Sequence, residues 1–187
     1  MTSMTKKTKT QKEHYVNNKE FLAAMVEFKK ARQHAEKKKL DKPPVTDYIG
    51  SCFLKIANHL SYRPNFINYT YKEDMISDGI ENCLQYIHNF NPDKSQNPFA
   101  YFTQIIWFAF LRRIAKEKKQ MYIKFKASQQ MNHENMILNS AGDNVPQNEL
   151  PDYINEFVKD FEDKHQKKKD ESKANKELKE KEAKEAK

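Results

Sequence analysis

The run Asn97-Pro-Phe-Ala-Tyr-Phe-Thr-Gln-Ile-Ile-Trp-Phe-Ala-Phe-Leu-Arg-Arg-Ile114 decides how the rest of the chain is read. It opens with asparagine before proline. Asparagine caps a helix well, and proline lacks the N–H that the first helical turn leaves unpaired. The apolar residues that follow recur at helical rather than alternating spacing. Trp107, Phe110, Leu111 and Ile114, at i, i+3, i+4 and i+7, form one stripe expected to face the core. A second line lies nearly opposite, through Tyr101, Ile105, Phe108 and Arg112, with Phe102 beside it and Lys116 and Lys119 continuing it. A helix in a small domain seldom buries large side chains on two opposed faces. The second line is therefore read as a surface, aromatic at first and basic further on, with the helix running to about Met121.

Moving outward, Asn91-Pro92-Asp93 is a turn signal. Before it, Thr70 with Glu73 has the spacing of a capping box for a third helix, whose expected apolar face is Ile76, Ile80, Cys83, Leu84 and Ile87. Its other side carries Asp74, Asp78, Glu81 and Gln85. Such an acidic stripe is commonly only the solvated side of an amphipathic helix, but in a basic protein it also suits a basic partner helix. Thr46 or Asp47 starts a second helix with Ile49, Phe53, Ile56 and Leu60 on one face, ended by Arg63-Pro64-Asn65. Asn17 or Asn18 caps a first helix with Phe21, Met25 and Phe28 inward, broken by Pro43-Pro44. Toward the C-terminus, residues 127–149 read as loop with short helical stretches around Met136–Leu138, and Pro151 opens a last helix with Tyr153, Ile154, Phe157, Val158 and Phe161 on one side. From Glu162 onward there are ten basic and eight acidic residues and, apart from Leu178, no large apolar one, which reads as a charged tail, transiently helical but unable to pack.

Three glycines in 187 residues are too few for a turn-rich β protein, so the fold class is all-α. The expected organisation is a basic, disordered N-terminus over 1–14, a compact helical domain over 15–126, loop plus amphipathic helix over 127–161, and the charged tail over 162–187. Formal net charge is +8, with pI near 9.2 and mean hydropathy −1.01, which points to an anionic partner. Between Arg112 and Lys126 stand seven Lys or Arg residues against Glu117 alone, a net of +6. A basic run is often only solvated surface, but one that follows aromatic side chains suits nucleic acid. Rings stack on unpaired bases, at roughly 1–3 kcal/mol per base, and cations attract phosphates.

No phosphate-binding Gly-x-x-x-x-Gly-Lys loop or Gly-x-Ser-x-Gly elbow occurs, and His133-Glu134 lacks its second histidine because Ile137 stands there. Neither cysteine lies at metal-ligand spacing to the other, and Cys52 and Cys83 both fall on apolar helix positions, as buried reduced thiols do. The expectation is a protein that is not an enzyme and uses no cofactor or metal. No apolar run reaches the roughly 18 residues of a membrane span, and the lysine-rich start has no apolar segment behind it, so no membrane partner and a cytoplasmic location are expected.

Asp74-Met-Ile-Ser-Asp-Gly79, then Asn91, then Phe99-Ala-Tyr-Phe-Thr-Gln104 and the basic helix resemble region 2 of bacterial sigma factors. Tyr15-Val-Asn-Asn-Lys-Glu20 and the Asn97–Gln104 run resemble more specifically the late-transcription sigma factors of T-even-type phages. The resemblance covers about residues 15–126. It implies a factor that joins host RNA polymerase in the bacterial cytoplasm and directs it to an A·T-rich minus-ten-type promoter element. Asp74, Ser77, Asp78, Glu81, Asn82 and Gln85 would meet the clamp coiled coil of the polymerase's largest subunit. Phe99, Tyr101, Phe102, Gln104, Ile105, Phe108 and Arg112 would line the opened non-template strand, and Arg113, Lys116, Lys118 and Lys119 would hold its phosphates. Phe102 stands where many bacterial sigmas have a melting tyrosine, and Ile105-Ile106 where they have paired tryptophans. Phage relatives end in an apolar peptide that binds the DNA sliding clamp. Here the chain ends in Lys176-Glu-Leu-Lys-Glu-Lys-Glu-Ala-Lys-Glu-Ala-Lys187, which leaves the Pro151 helix to take part in any contact with a sliding clamp or co-activator. The competing expectation is a basic phage regulator that binds polymerase or nucleic acid without programming initiation; a helical scaffold protein is a third.

Overall fold

The structure, a computed structural model, describes residues 14–139 and 151–185. It is all-helical over those residues, in the order α1 (Asn18–Lys38), α2 (Asp47–Ser61), α3 (Lys72–Tyr86), a 3-10 turn (Ile87–Asn89), α4 (Pro98–Asn139) and α5 (Asp152–Glu185). The chain divides into two compact units, Met1–Ile114 and Ala115–Lys187.

Local chemistry sets most helix ends in the first unit. The Asn17 side chain accepts from the Lys19 N–H at the start of α1, and that of Thr46 from the Ile49 N–H at the start of α2. At the start of α4, Asn97 Oδ1 accepts from the Ala100 N–H at 3.0 Å, the cap expected of Asn97-Pro98. α1 closes on Lys39, whose left-handed backbone (φ 54°) lets the Leu40 N–H reach back to the Ala35 carbonyl at 2.9 Å. The turn at Asn91 is held by its own side chain: Oδ1 accepts from the Asp93 N–H at 3.1 Å and from Lys29 Nζ of α1 at 2.7 Å. The capping box expected of Thr70 and Glu73 does not form. α3 starts at Lys72 after Tyr71, which makes no side-chain cap bond.

The core of the first unit is aromatic and interlocked. Phe21 of α1, Phe53 of α2, Phe90 and Phe102 of α4 meet with centroid separations between 4.6 and 6.0 Å. Phe66, from the turn before α3, sets its ring edge-on to Trp107 at 4.8 Å and to Phe110 at 5.1 Å. Gly79 sits on the α3 face that meets α4. A Cβ there would lie 3.0 Å from Ile106 Cγ2 and 3.1 Å from Phe110 Cε1, so any larger residue obliges those side chains to give way, and glycine lets the two helices approach closely.

The second unit pairs the later part of α4 with the start of α5. Tyr122 stacks on Phe161 at 4.5 Å, and Phe125 meets Phe157 edge-on at 5.4 Å. Gln129 donates to Asn155 Oδ1 at 2.6 Å, while Glu162 Oε1 accepts from both the Tyr122 hydroxyl and Lys126 Nζ at 2.9 Å. One expectation is corrected here. Residues 127–139 are helix rather than loop, because no glycine or proline interrupts them and Gln129 finds a partner on α5; residues 140–149 lie outside the described residues. The charged tail continues α5 to Glu185. It elongates a helix already nucleated by packing, with same-face pairs such as Lys164 to Asp160 at 3.1 Å and Gln166 to Asp170 at 2.9 Å. Of the N-terminal segment expected to be disordered, only His14 is among the described residues.

Candidate nucleic-acid interface

α4 turns inward an arc that shares Phe110 and Ile114 with the stripe its apolar spacing suggested but is rotated from it. Phe102, Ile106, Ala109, Phe110 and Ile114 are buried and Trp107 is half-buried, while Leu111 is 43% exposed. The inward arc is thus rotated toward Phe102 and Ile106. The rotation follows from Gly79, which opens room for Ile106 and Phe110, and from Phe21, Phe53 and Phe90, which enclose Phe102.

Phe102 is therefore a core residue. It is fully buried (0% exposed), and no base reaches its ring without the aromatic core coming apart, so its expected place lining the opened strand is corrected. Phe108 is the outward aromatic, 48% exposed, with exposed Gln104 and Arg112 on the same side of the helix. Tyr101 and Ile105 are partly buried and pack against the core at the edge of that face. Burial, and secondly Cys83, raise the Tyr101 hydroxyl above its ordinary value, so it stays a neutral phenol. Phe99 sits apart from them. It meets His14 edge-on at 4.8 Å, and its N–H donates to Asn18 Oδ1 at 3.2 Å, tying the start of α4 to α1.

The two arginines are not simple phosphate contacts. Arg113 grips Asp78 with both ends of its fork, Nε to Oδ2 at 2.6 Å and Nη2 to Oδ1 at 2.7 Å, in a pair that is mostly shielded from solvent. Arg112 Nη2 donates to Asn82 Oδ1 at 2.7 Å, and Asn82 Nδ2 donates in turn to the Asp78 carbonyl at 2.7 Å. In the unbound chain Arg113 and Asp78 hold each other, so the expected contacts of Arg113 with phosphate and of Asp78 with a partner would have to compete with this pair. A bidentate guanidinium–carboxylate pair is directional and charge-assisted, so it fixes α3 against α4.

On α3 the buried residues are Met75, Gly79 and Cys83. Ile76 and Ile80 are half-buried, and Leu84, expected inside, is exposed. Asp74, Ser77, Glu81 and Gln85 are exposed on the outward side, which leaves two carboxylates facing solvent beyond the Asp78 pair. In the second unit, Lys116, Lys118 and Lys119 are exposed. Nothing in the sequence marked Met75 or Gly79 as contact residues, and the pairings of Arg112 and Arg113 span 30 and 35 residues, beyond any local pattern.

Among the described residues, no helix is long and apolar enough to cross a membrane. No protein-family model matches the chain, and no curated protein matches it significantly.

Proposed function

We propose that this chain is a promoter-specificity factor of the phage late sigma type, which binds a bacterial core RNA polymerase and directs it to an A·T-rich minus-ten-type element. The observation that carries the reading is the division of labour between two adjoining helices. The outward side of α3 is acidic and polar, with Asp74, Ser77, Glu81 and Gln85 exposed. The outward side of α4 in the first unit exposes Phe108 with Gln104 and Arg112, and the exposed Lys116, Lys118 and Lys119 of the second unit follow in sequence. In this reading the α3 surface docks the clamp coiled coil of polymerase. Phe108, flanked by Tyr101 and Ile105, meets an unstacked base of the non-template strand. The lysines supply salt-sensitive attraction to the backbone. A single exposed ring gives less stacking than a row of them, so strand opening depends on polymerase itself and on accessory factors such as a sliding clamp or co-activator.

The test is transcription in vitro. Full-length chain plus core polymerase, on supercoiled DNA carrying a late promoter, should give initiation at a defined start, and core alone should give none. A chain that binds core and yet yields no promoter-specific transcript would leave the competing reading, a regulator that binds polymerase without programming initiation. Glu81→Lys should weaken core binding, and Phe108→Ala should spare core binding while reducing open-complex formation.

A further inference from the structure

On the side of α1 that faces the segment before α2, the first unit carries an open groove of about 630 Å3. Its floor is Phe28, one wall is α1, and the other is Pro43, Pro44, Thr46 and Tyr48. The α1 wall presents Ala23 and Ala24 between Glu20 and Glu27, and Ala31 one turn beyond Glu27, and these small side chains leave the space unfilled. Prolines stiffen the far wall, since their backbone angle is preset. The groove is thus apolar in its body and anionic along α1, in a protein whose net charge is +8.

The anion at one end is held in place. Glu20 Oε1 accepts from Asn17 Nδ2 at 2.8 Å and Oε2 from the Tyr48 hydroxyl at 3.3 Å. Both donors are neutral, so they orient the carboxylate without cancelling its charge. Glu27 lies seven residues further along α1, about 10 Å at ~1.5 Å per residue, and is exposed. Two carboxylates two turns apart, with an apolar trough between them, match a helix bearing apolar residues on one face and cations at i and i+7 beside them. An acidic helix would meet like charge at both ends of the trough.

We propose that this groove is a docking site for a basic amphipathic helix of a partner protein. The occupant seats one or two large apolar side chains over Phe28 and between the alanines, and sets Lys or Arg against Glu20 and Glu27. The surface lies on α1 and is separate from the outward sides of α3 and α4, so the inference stands independently of the polymerase reading.

The test uses the full chain and a synthetic helical peptide of roughly 18 residues, long enough to hold a helix once bound, with leucines on one face and lysines at i and i+7. A second peptide carries glutamates in place of those lysines. Fluorescence anisotropy of the labelled peptide should give saturable, salt-sensitive binding for the basic peptide and none for the acidic one. Glu27→Lys should weaken binding by about tenfold or more, and Ala31→Trp, which fills the trough, should do the same. Both positions are exposed, so neither change threatens the fold. Glu81→Lys on α3 should have no effect. The proposal is overturned if neither peptide binds, if both bind equally, or if Glu81→Lys rather than Glu27→Lys abolishes binding. It is overturned equally if sedimentation reveals a dimer of the chain that Ala31→Trp dissolves, since the groove would then belong to a second copy.

Discussion

Truncating Phe102 to alanine tests the placement of α4 most directly, because the residue would be dispensable to the fold on a DNA-facing surface and is central to it in the core. Its ring is fully buried and lies 4.6 Å from Phe53, 5.7 Å from Phe21, 5.9 Å from Phe90 and 5.1 Å from Tyr101. Removing a buried phenylalanine side chain loses its transfer free energy and leaves a cavity that a packed aromatic cluster closes only partly. The expected cost is about 3–5 kcal/mol. Phe108 keeps about half of its solvent exposure in the fold (48%), and Phe108→Ala should cost about 1 kcal/mol or less, as changes at outward positions do. Trp107 is the only tryptophan and packs against Phe66, so its fluorescence reports the first unit alone. With a urea slope of roughly 1–3 kcal/mol/M, the Phe102→Ala midpoint should fall by at least about 1 M, and the Phe108→Ala midpoint should barely move. Equal midpoints for Phe102→Ala and wild type, or a larger loss in Phe108→Ala, would refute the assignment of faces on α4.

Gly79→Val should destabilise the first unit by about 1–3 kcal/mol through overpacking against Ile106 and Phe110. In Gly79→Ala the gain in helix propensity, about 1 kcal/mol, should largely offset a smaller clash; thermal melts of the two variants separate these outcomes. Asp78→Ala leaves Arg113 without its bidentate partner and should cost on the order of 1–3 kcal/mol, whereas Asp74→Ala, on the exposed side, should be near neutral. If the two variants melt alike, the Asp78–Arg113 pair contributes nothing. In the second unit, Lys126 first and Tyr122 next hold the Glu162 carboxyl below its ordinary value of 4.5. A lowered carboxyl stabilises the folded form above the unfolded value and loses that contribution as pH falls through the folded one. Helicity of the wild-type α4–α5 pairing should therefore decline in acid below about pH 4.5, and Glu162→Gln should flatten that decline; a profile unchanged by the substitution would reject the coupling. At the alkaline end the Tyr122 and Lys126 groups are both raised, chiefly by Glu162, so their contribution should persist until pH passes their ordinary values of 10.0 and 10.5.

The helix starts and breaks were legible because their causes are local. Asn17, Thr46 and Asn97 each bond a backbone N–H two or three residues away, and Pro43-Pro44, Arg63-Pro64 and Asn91-Pro92 interrupt the backbone where they stand. Which face of each helix turns inward was harder to read. On α4, the Trp107–Leu111 arc and the Phe102–Ile106 arc both have helical spacing, and the choice between them rests with Phe21, Phe53 and Phe90, distant in sequence. On α3, the deciding residue is a glycine, which a count of apolar side chains passes over. The outward position of Phe108 followed from spacing alone. The capture of Arg112 and Arg113 by α3 did not, since a basic run gives no sign of which members are already engaged. The extent of α5 beyond Glu162 was legible only in part, because the absence of apolar residues argues against packing and says little about how far a helix runs. A helix anchored at Phe157 and Phe161 extends on backbone hydrogen bonds and charge pairs.

Gly79 has a mechanical consequence. With only a hydrogen between the α3 backbone and the Ile106 and Phe110 side chains, there is little room for one helix to slide along the other. The Arg113 fork on Asp78 and the Arg112 bond to Asn82 lock the same register from the solvent side. The two helices behave as a fixed gauge, with Glu81 and Phe108 on its two outer edges at a spacing set by the fold. Partners seated on the two edges at once would be held at that spacing by the backbone, whatever their own flexibility.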